Sequence, residues 1–129
     1  MMLLDTDILI ECLRGSAAAQ TWIEAATERE FYVPGIVAME LVLGCRNKQE
    51  LRTVQKFLNK FDLIWPTTAD FIHAYQLLSN HHLAVASSIP DCLIAAMSLQ
   101  RSETLCTFNA KHYRHILNLD LEVPYVRQG

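Results

Sequence analysis

Apolar residues fall in short runs separated by turn formers, and two kinds of run alternate. Met2–Leu4, residues 31–33, residues 63–65 and Thr104–Cys106 are brief apolar or β-prone segments. The first three are cut off by Asp5, by Pro34-Gly35 and by Pro66, so all four predict short strands. Between them the pattern predicts helices. They cover Thr6–Leu13, stopped at Arg14-Gly15; residues 17–26, capped by Ser16; and residues 36–43, closed by Gly44. Further helices cover residues 48–59, capped by Asn47, and Thr68–His81, with Phe71, Ile72, Tyr75 and Leu78 on one face. Another starts at Ser88 with Pro90 in its first turn and runs to about Leu99. Residues 110–115 predict a short helix, and residues 123–126 a last edge strand that tolerates Pro124. Trp22, Phe31, Tyr32, Phe57, Phe61, Trp65, Phe71 and Tyr75 mostly take core-like positions.

Strands alternating with helices predict an α/β layer fold with a mostly parallel sheet. Sites in such sheets form beyond the C-terminal ends of the strands. The 129 residues make one domain, with no repeat, linker or low-complexity tract. A composition of 51% hydrophobic and 19% charged residues excludes disorder. No apolar run reaches the ~18 residues of a membrane span. Met1 to Leu4 reach an acid too soon for a signal peptide, so a cytoplasmic protein is expected. Cys12, Cys45, Cys92 and Cys106 form no CxxC pair and read as buried thiols. The net charge of −3 is unlike that of a general nucleic-acid binder. If nucleic acid is the substrate, a local patch, a second subunit or metal ions must hold it.

Three acids break apolar sequence: Asp5 after Met1–Leu4, Glu40 within residues 36–43, and Asp91 between Ile89-Pro90 and Cys92–Met97. A carboxylate there is costly to desolvate unless something compensates it. A hard divalent metal, which prefers oxygen ligands, could serve all three. Each has a plain alternative. Asp5 suits an N-cap, Glu40 an exposed stripe, and Asp91 a helix dipole. Asn109 and Thr107 could simply make a turn. The predicted order nevertheless puts Asp5 and Asn109 past strand ends, and Glu40 and Asp91 in first helical turns, at one sheet edge. Two divalent ions about 4 Å apart can both generate hydroxide and neutralise a phosphorane-like transition state, so the pattern suits phosphodiester hydrolysis.

These residues resemble the PIN domain, and more closely the short single-domain toxins of bacterial VapBC pairs. The matching pieces are Leu3-Leu4-Asp5-Thr6-Asp7-Ile8-Leu9-Ile10, Ala38-Met39-Glu40-Leu41 with Gly44, and Pro90-Asp91-Cys92-Leu93-Ile94-Ala95-Ala96. The last is Leu105-Cys106-Thr107-Phe108-Asn109, followed by His112-Tyr113. The resemblance implies a three-layer α/β/α sandwich, a Mg²⁺- or Mn²⁺-dependent endoribonuclease, a homodimer, and a cognate antitoxin that blocks the site. It implies Asp5, Glu40 and Asp91 as catalytic metal ligands, with Thr6 and Asn109 beside them.

One position departs from the family pattern. His112 stands where relatives often carry a fourth acid. Imidazole suits Mn²⁺ better than Mg²⁺. His112 could also hydrogen-bond a metal water or phosphate, or merely pack. Asp7 is a possible substitute acid. Lys111 and Arg114, near the expected site, are candidates for RNA phosphates. The stripe Lys48, Arg52, Lys56 and Lys60 reads mainly as a solvated face. A PIN-like module that binds RNA or a protein without cutting is the competing expectation. A phospho-receiver fits Asp5, Asp7 and Lys111 but not Asp62, which precedes its strand and lies at the wrong edge.

Overall fold

The computed structural model describes residues 1–26 and 30–127. Five strands, β1 (Met2–Leu4), β2 (Phe31–Pro34), β3 (Asp62–Ile64), β4 (Thr104–Cys106) and β5 (Leu121–Glu122), form one parallel sheet in the order β3-β2-β1-β4-β5. Helices α1 (Thr6–Leu13), α2 (Ala17–Ala25), α3 (Gly35–Leu43), α4 (Lys48–Leu58), α5 (Thr68–His81) and α6 (Ile89–Arg101) flank it in a three-layer sandwich. The central strand β1 pairs Leu3 with Tyr32 on one side and with Leu105 on the other. Leu3 and Leu4 are completely buried, as expected of a strand covered on both faces.

Local chemistry sets the helix ends. Asn47, Thr67 and Ser88 each accept a backbone N–H three residues on, from Glu50, Asp70 and Asp91. Helix α6 is buried continuously from Cys92 to Ser98, so it is apolar all round and forms the heart of one layer. It ends where Ser102 turns left-handed at φ 53°.

Three expectations needed correction. The last strand is Leu121–Glu122, not residues 123–126. There Leu105 and Thr107 donate to the carbonyls of Asp120 and Glu122, whereas Pro124 has no N–H to extend a ladder. The short helix over residues 110–115 is only a 3₁₀ turn, Ala110–His112. The third concerns α5, which buries Asp70, Ala74 and Leu77, while Phe71, Ile72 and Tyr75 face outward with Trp65 nearby in sequence and equally exposed. Periodicity marks an apolar face without saying what covers it.

Candidate active site

Beyond Leu4 the sheet ladder continues for one residue: the Asp5 N–H donates to the Cys106 carbonyl at 3.0 Å. That bond fixes Asp5 at the C-terminal edge of the sheet. Asp5 is also the N-cap of α1, its Oδ1 accepting the Thr6 N–H at 2.8 Å. Cap and site are therefore one residue. Its Oδ2 accepts the Thr107 hydroxyl at 2.8 Å and lies 3.1 Å from the Tyr113 hydroxyl. Asp5 is only 6% exposed. Burial raises its pKa; the bonds from Thr107, Thr6 N–H and Tyr113 oppose the rise, and the charge of Asp91 adds to it.

Glu40 comes from α3, where the Thr6 hydroxyl donates to its Oε1 at 3.0 Å. Burial raises its pKa as well, with Thr6 opposing and the charges of Asp5 and Asp91 adding. Asp91, in the first turn of α6, places Oδ1 3.1 Å from the Tyr113 hydroxyl. Thr107 is fully buried and accepts the Asn109 N–H at 3.0 Å, so the loop after β4 is tied to Asp5 through one hydroxyl.

Asp7 turns toward the same loop. Its Oδ2 accepts the Phe108 N–H and the Asn109 side-chain amide, each at 3.0 Å, while its Oδ1 is buried without a hydrogen-bond partner. Burial and the charge of Asp5 push its pKa up to about 6, against the hydrogen bonds from Phe108 and Thr107 and the charge of Arg127.

Asp5, Thr6, Asp7, Ile10, Glu40, Asp91, Asn109 and His112 line one cleft of about 270 Å³. Thr107 supports it from beneath. Lys111 and Arg114 are exposed on and just after the 3₁₀ turn but are not among the cleft's lining residues. Lys48, Arg52 and Lys56 are exposed along α4, and Lys60 is exposed in the turn after it. Asp62 opens β3, at the N-terminal edge, so the phospho-receiver arrangement is absent.

The donor set suits a hard divalent cation: carboxylate oxygens with no Lys or Arg among the cleft's described lining residues. The pKa values of Asp5, Asp7 and Glu40 are raised chiefly by burial, with neighbouring carboxylate charge adding to the rise. Among the described residues, no three His, Cys, Asp or Glu side chains are already drawn together to chelate one ion. A cation would have to draw these acids in or reach some of them through water.

Sequence reasoning gave Tyr113 no role beyond its place after the Leu105–Asn109 motif. It left the direction of Asp7 open, and here the acid two residues after Asp5 was the available signal.

The family model described as PIN domain matches residues 2–116. Ribonuclease VapC10 of Mycobacterium tuberculosis is 28% identical over 119 residues, covering 88% of this chain and 86% of its own. Ribonuclease VapC1 of Rickettsia felis is 23% identical over 128 residues, covering 93% of each. A crystal structure of VapBC2 from Rickettsia felis bound to a promoter DNA fragment matches the fold with a TM-score of 0.83 at 23% identity. That match covers 94% of this chain and 96% of the other.

Proposed function

The chain belongs to the PIN-domain family, and from that premise we propose that it is a divalent-metal-dependent endoribonuclease, the toxin of a toxin–antitoxin pair. The observation that carries this reading is the convergence of Asp5, Thr6, Glu40, Asp91 and Asn109 on one cleft at the C-terminal edge of the sheet. Relatives named as VapC ribonucleases support it. Asp5, Glu40 and Asp91 would hold Mg²⁺ or Mn²⁺, directly or through water. The bound ion supplies charge neutralisation at phosphate and a water of lowered pKa. The chain's own work is orientation. Thr107 and the Thr6 N–H fix Asp5, the Thr6 hydroxyl fixes Glu40, and Asn109 with Asp7 fixes the loop facing the scissile phosphate. Hydrolysis in line leaves 5′-phosphate and 3′-hydroxyl ends. Lys111 and Arg114 contact flanking RNA phosphates from outside the cleft.

The same reading gives the chain its partners. The outward face of Phe71, Ile72 and Tyr75, with Trp65, supports a homodimer. A groove of about 760 Å³ between α1 and α4, lined by Ile10, Leu13, Leu41 and Val54, reaches Glu40. It suits an antitoxin segment whose end covers the acids. Solved toxin–antitoxin complexes of similar fold support such a partner. The likeness to solved toxin–antitoxin complexes supports a cytoplasmic location.

A second reading is a module that binds RNA or a partner without cutting. It is favoured by one observation: His112, not an acid, lines the cleft. One experiment separates the two. Antitoxin-free protein is incubated with a mixed RNA pool in Mg²⁺, Mn²⁺ or EDTA, beside Asp91→Asn. Metal-dependent cutting that falls at least about 100-fold in the variant supports the nuclease, since the metal supplies several kcal/mol to the transition state. RNA or partner binding with no cutting in any condition establishes the module instead.

A further inference from the structure

We propose that Tyr113 is a positioning residue whose hydroxyl sets the spacing of Asp5 and Asp91 for a divalent cation; this rests on the three-carboxylate reading above. Tyr113 follows the 3₁₀ turn and is 1% exposed, its ring packed in the main core. Its N–H donates to the Ala110 carbonyl and its own carbonyl accepts the Ile116 N–H, each at 3.0 Å. Ring and backbone are therefore both held. A phenylalanine would fill the same core volume. A hydroxyl buried this deeply is unfavourable unless it has a partner. Here it has two, Asp5 Oδ2 and Asp91 Oδ1, each at 3.1 Å.

A phenol carries one hydrogen, so it donates to one carboxylate at a time. Its oxygen stands between two like charges that come from different layers of the fold, one at the end of β1 and one at the start of α6. The result is a division among the oxygens of each acid. Asp5 Oδ2 accepts from Thr107 and shares the Tyr113 hydrogen with Asp91 Oδ1, and Glu40 Oε1 accepts from Thr6. Among the described residues, Asp91 Oδ2 and Glu40 Oε2 accept no hydrogen bond, and Asp5 Oδ1 accepts only the Thr6 N–H. Asp91 and Glu40 each keep one oxygen free for a ligand, and Asp5 keeps Oδ1 with a single backbone bond. Without the hydroxyl, Asp91 loses its partner and its repulsion from Asp5 is unopposed, so drawing the two carboxylates onto an ion costs more.

The test uses the full chain, freed of antitoxin and stripped with EDTA, as wild type and Tyr113→Phe. Mn²⁺ binding is read by titration calorimetry and folding by urea unfolding of the metal-free forms. Loss of one charge-assisted hydrogen bond predicts a Kd for Mn²⁺ weakened about tenfold. The Mn²⁺ needed for half-maximal RNA cleavage rises by the same factor, and the rate at saturating Mn²⁺ returns towards wild type. An unchanged or tighter Kd overturns the proposal, whatever the unfolding midpoint does, because a purely structural hydroxyl would move only the midpoint. Wild type that binds no Mn²⁺ overturns the three-carboxylate reading, and the role of Tyr113 with it. If Tyr113→Phe does not fold, wild type labelled at tyrosine Cζ is titrated with Mg²⁺ by NMR. The four resonances are assigned by Phe substitution at Tyr32, Tyr75 and Tyr125. The Tyr113 signal must then shift while the other three hold still, and a static Tyr113 signal overturns the proposal.

Discussion

Asp70 is the acid whose removal should cost the fold most. It sits in the first turn of α5 and is completely buried. Arg101, in the last turn of α6, grips it with both guanidinium branches: Nη1 to Oδ1 at 3.0 Å and Nη2 to Oδ2 at 3.1 Å. Oδ2 also accepts the Thr67 N–H at 2.8 Å, closing a capping box. Each charge also sits at the helix end that favours it. Removing one partner of a buried pair costs about 3–5 kcal/mol. The Arg101 side chain remains 22% exposed, which favours the lower end of that range. Thr67 keeps its cap bond to the backbone N–H of residue 70, and loss of the reciprocal bond to the Thr67 N–H adds up to about 1 kcal/mol. Asp70→Ala should therefore lose about 4 kcal/mol, equivalent to roughly 10–15 °C in Tm for a domain of this size. Urea unfolding followed by Trp22 and Trp65 fluorescence measures it. Asp91 lies ten residues up α6 from Arg101, about 15 Å along the axis, so Mn²⁺ affinity should hold in the variant. The pH dependence has a defined sign. Burial works to raise the Asp70 pKa, but the bonds from Arg101 and Thr67 with the charge of Arg101 outweigh it, and the net shift is downward. The unfolded state then binds more protons, so this stabilisation is full above the ordinary carboxyl range and is lost as pH falls through the lowered folded pKa. A cost below about 1 kcal/mol at pH 7, or a gap between wild type and variant that widens on acidification, would refute the reasoning.

Asp7→Asn should stabilise the metal-free protein by about 1 kcal/mol at pH 7.5 in urea unfolding, because it removes one crowded charge yet keeps an oxygen for Phe108 and Asn109. A destabilised variant would show that Asp7 is held chiefly as a charged acceptor. His112→Asp should lower the Mg²⁺ needed for half-maximal RNA cleavage several-fold, since carboxylate suits Mg²⁺ better than imidazole does. An unchanged Mg²⁺ titration curve would place residue 112 outside the ion's reach.

The layer architecture was legible because short apolar runs alternating with helical periodicity leave few alternatives, and the parallel sheet then dictates which edge collects the strand ends. Asp5, Thr6, Asp91 and Asn109 follow from that edge; Glu40 lies in the second turn of α3, not the first as expected, and still reaches the same cleft. What stayed hidden depends on contacts between residues far apart in sequence. Nothing local in the sequence marks the Tyr113 hydroxyl, which acquires meaning only once α6 brings Asp91 beside Asp5. The aromatic face of α5 looked buried because its inner face is made of an acid, an alanine and a leucine, a weaker apolar signal than the stripe outside.

Asp70 shows why a buried acid alone is an ambiguous signal. In the run Thr67-Thr68-Ala69-Asp70 it looks like an ordinary polar helix start, while Asp5 and Asp91 stand out against apolar neighbours. Yet Asp70 is the more deeply buried. The two kinds of acid separate by how their charge is met. Asp70 has a guanidinium, and its pKa is lowered. Asp5 and Glu40 are met mainly by hydroxyls and, for Asp5, one backbone N–H, and their pKa values are raised. Hydrogen bonds from neutral donors hold a carboxylate in place but do not cancel its charge, whereas an arginine does both. An acid held by neutral donors keeps its appetite for a cation and has its orientation fixed in advance. What meets the charge, a guanidinium or neutral donors, therefore separates the scaffold carboxylate Asp70 from Asp5 and Glu40.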